Sequence, residues 1–123
     1  MNIYYHPLYT KGIDSKSTFP KERYDLIKEQ LVVSELSNII TIKTPTEVEI
    51  EDIYRAHAKE YVDAFLNSDL SEKQVREIGL KPWTNKIIQR TLLLTGGSLC
   101  ALDDIYNGAA VAANMAGGTH HAF

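Results

Sequence analysis

Short β-prone segments alternate with longer helical patterns along this chain, and that alternation is the strongest constraint on its fold. Residues 2–5 form a short β-prone run that His6-Pro7 ends, because proline cannot continue a hydrogen-bonded ladder. Residues 38–43 hold a compact β-branched run typical of a strand covered on both faces, and residues 109–115 are small and apolar. The order predicts an α/β fold with a three-stranded parallel sheet and right-handed crossovers.

The segment after the first strand is predicted as a long loop that leads into a helix. Residues 8–18 contain Gly12, Asp14 and a Ser/Thr-rich end, and ordered loops of this length are often functional. Pro20 suits the first turn of a helix. The apolar residues that follow it have the spacing of one buried helical face: Tyr24, Ile27 and Leu31.

Two capping boxes predict further helices. Thr46 with Glu49 would begin one, and Ser71 with Gln74 would begin a shorter one that Gly79 ends in a left-handed conformation. The first of these helices would carry one apolar side: Ile50, Ile53, Tyr54, His57, Tyr61 and Phe65.

A long helical pattern runs from Thr84 to Gly108. Its apolar positions predict the buried face: Ile88, Leu92, Thr95, Leu99, Leu102 and Tyr106. Gly96-Gly97 lies inside this helix, where each glycine costs roughly 1 kcal/mol relative to alanine. Such a pair predicts close packing against another backbone.

Charge and composition exclude some partners. The net charge is −3, from 13 basic and 16 acidic residues that are mixed along the chain, so nucleic-acid binding is not expected. Lys81, Lys86 and Arg90 are too sparse for a basic patch and are interpreted as a solvated helix face. The longest apolar stretches fall far short of the roughly 20 residues that cross a bilayer, so no membrane partner is expected.

The single cysteine, Cys100, rules out an internal disulfide and agrees with a reducing compartment. The chain opens with no basic and apolar signal region, so a cytoplasmic location is expected. Cys100 lies among apolar residues of the long helical pattern without a nearby base, and it is interpreted as a buried, inert thiol.

Histidines stand at the ends of two predicted strands. His6 follows the first strand, and His120-His121 follows the last one after Gly117-Gly118. Because open parallel sheets bind ligands beyond the carboxyl ends of their strands, we expect one cleft that residues 8–18 border. Adjacent imidazoles suit proton transfer near neutral pH. Chance occurrence of the pair, and a loop-capping role for His6, are the alternatives.

Other candidates have plainer interpretations. His57 lies on the apolar side of its predicted helix, which favours core packing over catalysis. Asp103-Asp104 is interpreted as surface charge. A catalytic zinc needs three protein ligands, and the chain has no His-x-x-x-His, Asp-x-His or Cys-x-x-Cys, so no metal site is predicted within it.

Four segments, in order and with matching spacing, resemble the histone deacetylase superfamily, which includes acetoin-utilisation proteins and acetylpolyamine amidohydrolases. The run Gly117-Gly118-Thr119-His120-His121-Ala122 resembles the Gly-Gly-x-His-His-Ala signature, and Thr95-Gly96-Gly97-Ser98 resembles the Thr-Gly-Gly-Thr segment. His57 and Tyr61 match the His-x-x-x-Tyr element. Residues 19–24 are similar to the first-helix motif of the bacterial branch nearest the class IV deacetylases.

The resemblance implies the N-terminal portion, residues 1–123, of a single domain with the arginase/deacetylase three-layer α/β sandwich. It places the first strand between the other two. It also implies Zn²⁺-dependent hydrolysis of an acyl-lysine or small acylated amine, with His120 and His121 as general base and acid. The family's zinc ligands would lie beyond Phe123. Arg23, His6 and Gly118 match positions near the substrate and product channel.

Two alternatives remain open. One is a truncated, non-catalytic pseudoenzyme or interaction module, and the other is a phosphate- or nucleotide-binding α/β domain that uses Gly117-Gly118. The second has weak support, since no helix is predicted after the glycines. We expect the isolated chain to show no zinc-dependent deacetylation, and an unpaired last strand would carry an aggregation risk. Substrate, acyl preference and oligomeric state are left open.

Overall fold

The three strands form one parallel sheet. The computed structural model describes residues 1–118, with β1 (Asn2–Tyr4), β2 (Thr41–Lys43) and β3 (Ala112–Asn114). β1 lies between β2 and β3, and both pairings are parallel. Each strand falls inside the run that predicted it, so the predicted sheet and strand order are confirmed.

Helices connect the strands on both sides of β2. The described part of the chain contains these α-helices: α1 (Leu8–Lys11), α2 (Arg23–Val33), α3 (Ile50–Tyr54), α4 (Lys59–Leu66), α5 (Glu72–Ile78) and α6 (Lys86–Tyr106). A 3-10 helix (Glu35–Asn38) lies between α2 and β2. Of the helices described, none is long and apolar enough to cross a membrane. The 3-10 helix delays β2 until Thr41, after its predicted start at Asn38.

β2 is less covered than predicted. Thr41 and Lys43 are exposed and only Ile42 is half-buried, so the expectation of a strand covered on both faces is wrong. The reason is position: both β2 and β3 are edge strands, but α6 packs on β1 and β3 and leaves β2 less covered.

Residues 8–18 are not a loop throughout, because α1 forms a single helical turn within them. His6 Nδ1 accepts a hydrogen bond from the Leu8 backbone N–H at 3.1 Å, and Pro7 has helical φ and ψ of −56° and −27°. Tyr9 is completely buried. The turn therefore depends on a hydrogen bond to His6 and on the burial of Tyr9. Neither contact can be predicted from the composition of residues 8–18.

The helix predicted from Thr46 begins later and is broken. α3 starts after Glu49, without a side-chain cap, and the chain leaves helical geometry before α4 at Ala58, where ψ is 131°. His57 lies in this break and is exposed, so its predicted core packing is wrong. Thr46 does not cap this helix; its carbonyl packs against Gly96 of α6, and its hydroxyl lies 3.5 Å from Cys100 Sγ.

The shorter helix forms as predicted. The Ser71 hydroxyl accepts a hydrogen bond from the Gln74 backbone N–H, and the Gln74 side chain accepts one from the Ser71 N–H. Gly79 ends α5 with a left-handed φ of +77°. Local sequence was sufficient here because every group involved lies within one helix.

The buried face of α6 differs from the predicted one. The described buried residues are Ile87, Arg90, Leu93, Leu94, Gly96 and Gly97. Leu102 and Tyr106, which were predicted to be buried, are 61% and 92% exposed. The orientation of α6 follows its glycines toward the sheet, which buries Arg90 and makes the solvated-face interpretation of that arginine wrong.

Gly96 and Gly97 let α6 pack closely against other described segments. A Cβ at Gly96 would lie 1.9 Å from the Thr46 carbonyl oxygen, and one at Gly97 would lie 2.7 Å from Asn114 Oδ1. Both distances are far below van der Waals contact, so a side chain at either position would force its neighbour to move, and at Gly96 that neighbour is backbone. The predicted close backbone packing is confirmed.

Asp104 attaches the C-terminal half of α6 to the sheet. Its Oδ2 accepts hydrogen bonds from Asn2 Nδ2 at 2.8 Å and Tyr4 Oη at 2.9 Å, and Lys43 Nζ lies 3.7 Å from Oδ1. The Asn2 hydrogen bond and then that of Tyr4 lower the carboxyl pKa of Asp104. Burial and the bond to Asp104 raise the pKa of Tyr4 to about 12. Interpreting Asp104 as surface charge was therefore wrong.

Tyr4 and Tyr5 show that helices flank the sheet on both faces. Adjacent strand residues point to opposite faces. Tyr4 Oη bonds to Asp104 on α6, whereas Tyr5 Oη bonds to Asp25 on α2. The order of layers is therefore helix, sheet, helix, as the α/β sandwich prediction requires.

Gly96→Ala should destabilise the protein even though alanine favours helices. The propensity gain is about 1 kcal/mol, but the new methyl group would collide with the Thr46 carbonyl, and overpacking typically costs about 1–3 kcal/mol. We expect a net loss in the free energy of unfolding by urea denaturation. Thr95→Ala, at the neighbouring exposed position, should stay within about 0.5 kcal/mol. An unchanged or raised stability of Gly96→Ala would contradict the close contact.

Asp104→Asn should destabilise the protein at pH 7, and the difference from the wild type should shrink in acid. Because the folded carboxyl has a lowered pKa, its contribution is complete above the ordinary value of about 3.9. That contribution is lost as the pH falls through the lower folded value. Urea midpoints at pH 7 and pH 3 measure the effect. Asp103→Asn, at the exposed neighbouring residue, is the control, and equal behaviour of the two variants would refute the attachment.

Candidate functional site

The carboxyl ends of β1 and β3 lie side by side. Asn114 is paired with Tyr4, and the Met115 backbone N–H donates to the Tyr4 carbonyl at 2.9 Å, so the pairing continues past the end of β3. His6 follows at this edge. The chain after β3 leaves from the same edge and continues through Gly118 toward the histidine pair. His120 and His121 lie outside the described residues, so their predicted place in a shared cleft stays a prediction.

His6 caps the chain where it turns away from β1. Besides the bond that its Nδ1 accepts from Leu8, its carbonyl accepts one from the Tyr9 N–H at 2.9 Å. The loop-capping interpretation is thus confirmed, and the bordering of a shared cleft by residues 8–18 stays a prediction. A place for His6 in a substrate channel stays a prediction.

A cluster of buried aromatic side chains lies beneath the edge. Tyr9 makes edge-to-face contacts with Tyr5 and Tyr24, each with ring centroids 6.1 Å apart. Burial raises the pKa of Tyr9 to about 12, and burial together with Asp25 raises that of Tyr5 further. Both phenols are therefore protonated hydrogen-bond donors at neutral pH.

Two arginines stack on one pair of rings. The guanidinium of Arg23 lies 5.1 Å from the Phe19 centroid and 5.0 Å from that of Tyr24, and it donates to Tyr24 Oη at 3.1 Å. Arg90 lies 5.8 and 5.9 Å from the same rings, and its Nε donates to the Tyr9 carbonyl at 3.0 Å. Burial lowers the pKa of Arg90. Arg23 is exposed and Arg90 is buried, so one of the two guanidinium groups near these rings faces solvent and the other lies in the interior.

The channel role predicted for Arg23 stays a prediction, whereas the contacts of Arg90 were not predicted. One signal was available: Arg90 precedes Leu93 by three positions and Gly97 by seven, which is the spacing of one helical face. The predicted buried face, which includes Leu102 and Tyr106, is more apolar than the face that carries Arg90. Only the packing of α6 against the sheet shows which of the two faces is buried.

Asn114 was also missed. Its Oδ1 accepts a hydrogen bond from Tyr9 Oη at 2.9 Å, and its Nδ2 donates to the Leu94 carbonyl at 2.8 Å. It thus joins the end of β3 to both α1 and α6. A single asparagine in an apolar run was the available signal, because a buried carboxamide needs partners.

Gly118 and Gly117 are exposed, and no described atom lies within 4 Å of a Cβ built on either. A channel role for Gly118 stays a prediction.

Cys100 is half-buried, with Sγ 3.5 Å from Thr46 Oγ1. Within residues 1–118 no three His, Cys, Asp or Glu side chains come together as metal ligands, so the described residues do not form a zinc site.

Two apolar grooves lie away from the histidine-bearing edge. One is lined by α2 and the 3-10 helix, through Leu26, Ile27, Leu31 and Leu36. The other lies at the amino ends of the strands, between Met1, Ile39 and residues 109–111. Neither contains a group suited to proton transfer, so the carboxyl edge remains the candidate site.

Two comparisons with known proteins bear on the family of this chain. The family model of the histone deacetylase domain matches residues 17–123. The chain is also 34% identical over 122 residues to an uncharacterized protein of Picosynechococcus sp., which covers 98% of this chain and 40% of that protein. The chain therefore belongs to the histone deacetylase family. It spans about two-fifths of the length of this relative.

Arg90→Lys should destabilise the protein by about 1–3 kcal/mol. Lysine has no planar guanidinium to stack on both rings while donating to the Tyr9 carbonyl. Arg23→Lys is the matched control, because Arg23 stacks on the same rings from solvent, and its effect should stay within about 0.5 kcal/mol. Urea denaturation measures both variants. Equal effects would show that burial does not distinguish the two arginines.

Proposed function

We propose that this chain supplies the histidine-bearing edge of a catalytic centre that hydrolyses acylated amines, either acyl-lysine or a small acylated amine. The observation that carries the proposal is the adjacency of β1 and β3. Their parallel pairing brings the segment that leads to His120 and His121 out at the carboxyl edge, where α/β sheets bind ligands. Membership of the histone deacetylase family supports the reaction class.

The two histidines are proposed to divide the proton transfers of amide hydrolysis. One imidazole removes a proton from the attacking water as the C–O bond forms. The other, as imidazolium, donates a proton to the nitrogen of the leaving amine as the C–N bond breaks. Both roles suit imidazole, whose ordinary pKa of about 6.5 lies near neutral pH.

The cofactor proposed for the longer protein is Zn²⁺, as in the deacetylase family generally. Because the described residues do not form a zinc site, we place its ligands beyond Phe123. Residues 1–123 are then the N-terminal portion of a single domain, which agrees with the two-fifths of the relative that they span. A cytoplasmic location is proposed from the single cysteine.

Arg23, His6 and Gly118 are proposed to border the substrate and product channel. Arg23 supports this assignment best, because its exposed guanidinium is held in place by Phe19 and Tyr24 and would attract a carboxylate product. Placement of the protein in the bacterial branch near the class IV deacetylases remains a prediction from residues 19–24.

The isolated chain should not deacetylate an acetyl-lysine peptide in the presence of zinc, since a catalytic zinc needs about three protein ligands. A longer chain, in which residues 1–123 continue into the C-terminal portion of the Picosynechococcus relative, should be active. In that form His121→Ala should lower kcat by roughly 10²–10⁴-fold. Release of acetate measures turnover.

His57→Ala is the control for this experiment, because His57 is an exposed histidine in the turn between α3 and α4. Its kcat should match that of the unmodified longer chain. Turnover by the short chain that His121→Ala abolishes would refute the assignment of the zinc ligands. Absence of turnover in an otherwise folded longer chain would favour the pseudoenzyme alternative.

A further inference from the structure

We propose that Asn114 is a positioning residue for the histidine pair, because its carboxamide fixes the end of β3 from which the chain continues to His120 and His121. The inference rests on the proposed function of that pair. It concerns a side chain that touches neither substrate nor cofactor and acts through the segment that follows it.

The hydrogen bonds of Asn114 require both ends of a carboxamide. Oδ1 accepts from Tyr9 Oη, while Nδ2 donates to the Leu94 carbonyl and, at 3.2 Å, to Ser98 Oγ. A carboxylate in the same place would face the Leu94 carbonyl with an acceptor and lose that bond. The orientation of the side chain is therefore determined by α1 on one side and α6 on the other.

Gly97 provides the space for this arrangement. A Cβ there would lie 2.6 Å from Tyr9 Oη and 2.7 Å from Asn114 Oδ1. Tyr9 is completely buried, and its carbonyl is held by Arg90. The partner of Asn114 is thus rigidly placed, so the hydrogen bond restricts the position of β3 itself.

The restraint continues past the end of β3 as far as Ala116. Met115 N–H bonds to the Tyr4 carbonyl, and Ala116 is 1% exposed within the aromatic cluster. Only Gly117, Gly118 and Thr119 separate Ala116 from His120. The Tyr9 backbone N–H also donates to the His6 carbonyl, so Tyr9 contacts both histidine-bearing segments, one through its backbone and the other through its phenol.

The test uses the 123-residue chain with ¹³C-labelled histidine and follows its imidazole NMR signals during a pH titration. Single His→Gln substitutions assign the signals. In Asn114→Asp and in Tyr9→Phe, we expect the signals of His120 and His121 to shift. The titration midpoint of at least one of them should move by about half a pH unit, within the spread that folded environments impose. The His57 signal should not change.

Tyr4→Phe is the matched control. It also removes one phenol hydroxyl from a bond across the interface between α6 and the sheet, but its partner is Asp104 and not Asn114. If Tyr4→Phe shifts the NMR signals and titration midpoints of His120 and His121 as much as Tyr9→Phe does, Asn114 has only a structural role and the proposal is wrong. Unchanged signals in Tyr9→Phe would also overturn it, and that variant decides the question if Asn114→Asp does not fold by circular dichroism. Because the readout needs neither zinc nor turnover, an inactive longer chain would refute the proposed function and leave this result standing.

Discussion

The close contact of α6 with the sheet and with the chain before α3 is the constraint on which the other features depend. Gly96 admits the Thr46 carbonyl and Gly97 admits the side chains of Tyr9 and Asn114. Because side chains at either position would push α6 away, the glycine pair determines both the distance and the rotation of the helix. That rotation buries Arg90 and Leu94 and leaves Leu102 in solvent.

Once α6 is in place, polar groups determine how the layers are held together. Tyr4 and Tyr5 send their hydroxyls to carboxylates on opposite faces of the sheet, Asp104 and Asp25. Each tyrosine places its apolar ring in the core, and its hydroxyl donates a hydrogen bond to a carboxylate on a helix. Burial therefore leaves neither hydroxyl without a hydrogen-bond partner. Arg90 is likewise buried with partners, because its guanidinium lies against aromatic rings and donates to a backbone carbonyl.

These contacts converge on the edge that leads to the histidine pair. The aromatic cluster supports the carboxyl ends of β1 and β3 from below, with Ala116 as its last described member. Hydrogen bonding of His6 and Asn114 ties the two outgoing segments to α1. A site that transfers protons benefits from such rigid support, because catalytic groups must be held within narrow geometric limits. The proposed proton-transfer site would thereby depend on residues that lie outside it.

The sequence by itself determined what depends on local or repeating chemistry. Strand positions followed from short β-prone runs, α5 followed from Ser71, Gln74 and Gly79, and the glycine pair indicated close packing. Only the tertiary structure decided which face of α6 is buried, that Asp104 bonds to the sheet, that Arg90 is buried, and that His57 is exposed. These outcomes depend on partners distant in the sequence, such as Asn2 for Asp104 and Tyr9 for Arg90. A charged residue has the same local appearance whether solvent or a remote hydrogen bond stabilises it, because its burial is decided by the packing of whole elements.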